Sequence, residues 1–116
     1  MDERLEKAFQ TANFMATLTN QRRAALEEFR QNSIYYVKGS SFVITRELIA
    51  FVKSMIDLNY TQNIVLIDDN DVPVSIDDLT VFQKEILAQY YSATSEYHST
   101  YTAIKSKRKA EDLINL

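Results

Sequence analysis

Cysteine is absent from this chain, tryptophan is absent, and glycine and proline occur once each, as Gly39 and Pro73. Without cysteine there are no disulfides, no thiolate metal ligands and no cysteine nucleophile. A chain with one glycine cannot build a glycine-rich phosphate cradle. It also shows no Walker-type loop, dinucleotide fingerprint, nucleophile elbow or zinc-protease motif. Flexible linkers need Gly, Pro or Ser runs, so their scarcity predicts long regular elements joined by short connections. A net charge of −3 with a pI near 5.1 argues against a protein that mainly coats nucleic acid. No apolar run approaches a membrane span, and the start "MDERLEKAFQ", charged from its second residue, is not a signal peptide. The expectation is a cytoplasmic protein.

What is present is ordinary for a folded domain. The 116 residues are 46% hydrophobic and 25% charged, enough for one modest core and too apolar for wholesale disorder. A single domain over residues 1–116 is expected, with no internal boundary or repeat.

Periodicity then divides the chain. From Asp2 to about Arg30 a heptad-like seam runs through Leu5, Ala8, Ala12, Met15, Thr19, Arg22, Leu26 and Phe29. Arg22 either marks where the helix leaves its partner's apolar surface or reaches a carboxylate or phosphate across an interface. "SIYYVKGSSFVIT" changes to a strand period around Gly39-Ser40, read as a two-residue hairpin loop. Val37 would then pair with Phe42 and Tyr35 with Ile44 on one face, with Tyr36 and Val43 on the other. Large side chains on both faces predict a hairpin covered on both sides, by helix or by another subunit.

Thr45 is the expected N-cap of a strongly apolar central helix through "RELIAFVKSMIDLN". "NIVLI", "DDND" and "VPVSI" read as strand, turn and edge strand, since Asp and Asn suit tight turns and Pro73 donates no amide hydrogen. Ser75 with Asp78 resembles a capping box, so the last helix should begin near residues 76–78 and reach about Ala110. Its seam is Leu79, Phe82, Ile86, Tyr90, Ala93, Tyr97, Tyr101 and Ile104, an eleven-residue period. The fold class is therefore α+β in the order α-ββ-α-ββ-α: two long outer helices, one central helix and two β-hairpins.

Candidate chemistry is sparse. Asp68, Asp69 and Asp71, with Asp77 or Asp78, could hold a divalent cation. A calcium loop, however, needs Gly at the sixth position and Glu at the twelfth, and Val74 and Thr80 stand there when counting from Asp69. A solvated turn is the better reading, with no metal and no cofactor. His98 is the single histidine; Ser95, Glu96 and Ser99 are only sequence neighbours, and Thr94 and Thr102 lie one helical turn away. No catalytic residue is assigned, and the chain is not expected to be an enzyme.

Seven tyrosines include Tyr35, Tyr36 and Tyr60, with Tyr90, Tyr91, Tyr97 and Tyr101 on the last helix. Such rings suit protein contact surfaces, and Tyr90, Tyr97, Tyr101 and Ile104 are the predicted interface. They can also stack on bases, so a nucleic-acid surface of Arg22, Arg23, Lys105, Lys107, Arg108 and Lys109 is the alternative. A basic run at the end of a helix also matches the helix dipole without any ligand.

"TLTNQRR", "YYVKGSSFVITRELIAFVK", "IVLIDDNDVPVSIDDL" and "YSATSEYHSTY" together resemble small conserved proteins of contractile-tailed phages of marine cyanobacteria. The resemblance covers most of the chain and implies viral origin and expression in a host bacterial cytoplasm. It carries no activity, ligand or residue role. Asp71 departs from the glycine expected to close the turn. The expected function is a non-enzymatic accessory or assembly protein, oligomeric through its long helices, with a phage or host protein as a further partner.

Overall fold

The structure, a computed structural model, describes the backbone of residues 2–114 and the side chains of residues 2–107. Its order is α1 (Glu3–Asn32), β1 (Ile34–Val37), β2 (Ser40–Val43), α2 (Arg46–Asp57), β3 (Gln62–Ile67), β4 (Pro73–Asp78) and α3 (Leu79–Ile114). This is the expected α+β arrangement, with two separate two-stranded antiparallel sheets. None of the helices, among the described residues, is long and apolar enough to cross a membrane. The chain forms two compact units: residues 30–94, and residues 1–29 with 95–116.

The unit of residues 30–94 holds the larger core. Leu79, Ile86 and Val52 are fully buried, joined by Phe42, Ile44, Leu66, Val74, Ile76 and Phe82. Alternation explains which strand residues enter. On β3 and β4, Leu66, Val74 and Ile76 point inward while Val65, Ile67 and Ser75 point out. α2 is capped as expected: the Thr45 hydroxyl accepts the Leu48 amide at 3.0 Å. Only one side of α2 is covered. Val52 is buried and Leu48, Ile49, Met55 and Ile56 are half-buried, whereas Phe51 and Leu58 face outward.

The first hairpin corrects the expected register. Tyr35 pairs with Phe42 and Val37 with Ser40, so the loop is Lys38-Gly39 and not Gly39-Ser40. Both loop residues have positive φ, 50° and 75°, as a type I′ turn requires. A slip of two residues preserves which side chains share a face. Tyr35, Val37, Phe42 and Ile44 therefore still lie together, and Tyr36 and Val43 still lie opposite them. Within this chain the second face is open: Tyr36 and Val43 are both exposed.

The start of α3 also differs from expectation. Ser75 lies in β4 opposite Val65, and the cap is Asp78, whose Oδ1 accepts the Thr80 amide at 2.9 Å and the Thr80 hydroxyl at 2.5 Å. Strand thus runs directly into helix.

Among the described residues, four other than glycine adopt positive φ: Lys38, Asn59, Asn63 and Asp71. A chain with one glycine meets its left-handed positions with Asn and Asp, the L-residues that tolerate them best, and with one lysine. Asp71, at φ 62°, occupies the position where the turn asks for glycine. Replacing it (Asp71→Gly) is expected to raise stability by about 0.5 kcal/mol in urea denaturation. A loss would mean the Asp71 side chain contributes more than its backbone strain costs.

In the other unit, α1 and the later part of α3 pack as an antiparallel pair. Leu18, Ala25 and Ile104 form its core, with Phe14 and Tyr97 against them. Phe29 stacks on Tyr97 with ring centroids 5.0 Å apart. The α1 seam departs from the expected one in its first part, where Phe14 and Leu18 are covered while Leu5, Ala8, Ala12, Met15 and Thr19 are exposed. Further on, the expected Arg22, Leu26 and Phe29 are half-buried beside the buried Ala25. The α3 seam holds throughout except at Tyr101, which stays 40% exposed.

Candidate functional site

Where the first hairpin, the end of β4 and the first turns of α3 meet, a cleft of about 220 Å³ opens. Val37, Ile76, Val81 and Phe82 line it with apolar surface, and Tyr35, Lys38, Asp77, Asp78 and Glu85 supply polar groups. Phe82 is the anchor beneath it: its ring meets Tyr35 edge-on at 5.3 Å and Phe42 at 5.5 Å. This holds the Tyr35 ring in the wall, and its hydroxyl donates to Glu85 Oε2.

Burial, then the hydrogen bond to Glu85 and that carboxylate's charge, push the Tyr35 hydroxyl up to about 12 from its usual 10.0. The fold thus favours the neutral phenol. Its contribution to stability is complete below the unfolded value near 10 and is lost as pH rises through about 12. Wild type should therefore lose more thermal stability than Tyr35→Phe on going from about pH 9 to about pH 12, and absorbance at the tyrosinate band should show one late-titrating phenol. Equal losses in the two proteins would mean that Tyr35 titrates like an exposed tyrosine.

Lys38, the left-handed loop residue, extends across to β4. Its ammonium donates to the Ser75 carbonyl at 2.8 Å and to Asp77 Oδ1 at 2.9 Å. The ion pair is exposed on both sides, so it contributes little stability but sets where the lysine lies.

The acidic turn is structural, and more so than its sequence suggests. Asp68 is buried, and its Oδ1 accepts the amides of Asn70 at 2.8 Å and Val72 at 2.9 Å. Those bonds, Val72's first, together with the Ser40 hydroxyl hold its carboxyl below the usual range. Asp78 is likewise held low, by the Thr80 hydroxyl first and the Thr80 amide next. Both carboxylates stabilise the fold above about pH 4, and that contribution is lost as pH falls through their lowered values.

Asp69 does something sequence reading missed. Its amide donates to the Ser41 carbonyl at 3.0 Å and its carboxylate accepts the Val43 amide at 3.0 Å. It thereby occupies the outer edge of β2 as a third strand would, blunting an otherwise open edge. Among the described residues no three His, Asp or Glu side chains converge as a metal site would need.

The other sequence-predicted residues are dispersed. Tyr90 packs against the larger core, and Tyr97 and Ile104 are covered within the helix pair. Of the predicted interface only Tyr101 is exposed. Tyr91, 74% exposed, is the freer ring. Arg22 is half-buried with its guanidinium 5.8 Å from the Tyr101 ring centroid, a cation–π contact within the helix pair. Its Nε and the Oε1 of Gln21 are buried and find no hydrogen-bond partner among the described residues. Arg23, Lys105 and Lys107 are exposed, and the side chains of Arg108 and Lys109 lie outside the described residues. His98 is exposed on α3.

Gln89 is the second residue sequence reading passed over. Its amide nitrogen donates to the carbonyls of Asn32 at 2.8 Å and Ile34 at 2.7 Å, joining α3 to the end of α1 and the start of β1. Its place one turn after Ile86 on the buried side was the available signal. No protein-family model, curated protein or solved structure matches the chain.

Proposed function

We propose that this chain is a non-enzymatic accessory or assembly protein that works by contact with other protein, including copies of itself. The observation that carries the reading is the outer face of the β3–β4 hairpin. Val65 and Ile67 are each 59% exposed there, and Pro73, opposite Ile67, is exposed too. A sheet face with adjoining uncovered aliphatic side chains is a contact surface by composition. Phe51 on α2, Leu58 at its C-cap and Phe9 on α1 add uncovered apolar area. Phage origin and a host-cytoplasm setting rest on the sequence resemblance alone.

The basis of self-association has moved. The long helices pack on each other within the chain, where α1 covers Tyr97 and Ile104 of the α3 seam. What is left for a second copy is the hairpin face. Light scattering after size exclusion should give at least twice the 13.4 kDa chain mass at micromolar concentration. The double variant Val65→Lys, Ile67→Lys should return the mass to one chain with little change in melting temperature. A monomeric wild type would remove self-association from the proposal.

One observation favours the nucleic-acid alternative: both basic clusters belong to one helix pair, since Arg22 touches Tyr101 and Lys105 follows one turn later. That unit nonetheless carries eight acidic residues against eight basic. Binding to DNA at low salt, where phosphate contacts are strongest, tests it, and no measurable binding there eliminates it.

A further inference from the structure

The cleft beside Tyr35 differs in kind from the flat hairpin face. Its walls are aliphatic and aromatic, from Val37, Val81 and the Tyr35 ring, and its polar rim holds three carboxylates against one ammonium. The ammonium is committed to Asp77 and the Ser75 carbonyl, so the rim presents net negative charge around Glu85 and Asp78. The surrounding unit carries eight acidic residues against five basic, which reinforces that sign. At about 220 Å³ the cleft falls below the roughly 300–1,000 Å³ of pockets that enclose a drug-sized ligand. It has the size for one long side chain.

We propose that this cleft receives an arginine side chain from a basic segment of a different protein. The aliphatic stem lies along Val37 and Val81, and the guanidinium pairs with Glu85. Three features select this occupant. An apolar lining under an anionic rim matches a side chain whose stem is apolar and whose tip is cationic. A planar guanidinium can pair two-pronged with a carboxylate, whereas a lysine ammonium can only approach it as a point charge. A second copy of this chain, itself carrying −3, is disfavoured by charge against a basic partner. The proposal rests on the accessory-protein reading but not on self-association, so a monomeric chain in light scattering leaves it standing.

The probe is N-acetyl-arginine methylamide, titrated into the full 15N-labelled chain, with the citrulline analogue as a neutral match in shape. Saturable shifts in the amides of Val37, Val81 and Glu85 are expected, with a Kd on the order of 1 mM. The citrulline probe should bind at least about tenfold more weakly. Glu85→Gln should weaken the arginine probe to a similar degree while its amide still accepts the Tyr35 hydroxyl, and exposed Asp77→Asn provides a second variant that leaves the core untouched. Absence of saturable shifts up to about 50 mM arginine probe, or equal binding of the citrulline probe, overturns the proposal.

Discussion

Phe82→Ala is expected to cost about 3–5 kcal/mol in urea denaturation, the range for emptying a buried aromatic site. Phe82 is 2% exposed and contacts two rings from different strands, so its loss removes packing that joins α3 to both strands of the first hairpin. Neighbouring backbone cannot collapse into the gap, because β1 and β2 are tied by their ladder and β2's outer edge by Asp69. A domain of this size has on the order of 5–15 kcal/mol to lose, so the variant should be partly unfolded well below the wild-type midpoint. Tyr91→Ala is the control: that ring is exposed, and its removal should stay within about 0.5 kcal/mol. If the two variants behaved alike, the core would not be centred on Phe82. The cleft beside Tyr35 should lose its shape as well, because Tyr35 would lose the ring that fixes its wall.

Gln89→Leu is the second large effect, at about 2 kcal/mol, and its cause is polar. Leucine keeps helix propensity and much of the bulk, but it leaves the carbonyls of Asn32 and Ile34 without the donor that now serves both. Half-buried carbonyls stranded in this way cost about 1–3 kcal/mol each when water cannot replace the donor fully. Gln89→Glu sharpens the test. Near neutral pH its carboxylate would set acceptor against acceptor and destabilise more than leucine, whereas the protonated acid at low pH could donate once and recover part of the loss. A Gln89→Leu protein as stable as wild type would show that solvent satisfies both carbonyls and that this contact is incidental.

Each misreading of the sequence has a local physical reason. Gly39-Ser40 is a sound hairpin signal, yet the observed turn places Lys38 in the left-handed region instead. That choice puts Ser40 inside, where its hydroxyl meets the Asp68 carboxylate, and sends the Lys38 ammonium to Ser75 and Asp77. These rewards come from the other hairpin, so nothing near residue 39 could reveal them. On α1, alanines and polar residues blur the apolar stripe, and two seams one residue apart were almost equally good. Contact with α3 selected the one containing Phe14 and Leu18. The Asp78 cap displaced Ser75 because β4 needed Ser75 opposite Val65 in the ladder.

From the residues alone came the element order, the α3 seam, the Thr45 cap, the turn at residues 68–71 and the faces of the first hairpin. All of these follow from short-range periodicity or from one side chain bonding its own backbone, and a register slip of two cannot alter a face. Tertiary structure alone decided the register, the Asp69 edge, the Gln89 tie and the cleft with its acidic rim. Each of those joins groups far apart along the chain, and a donor, acceptor or charge carries no mark in sequence of which distant partner it will meet.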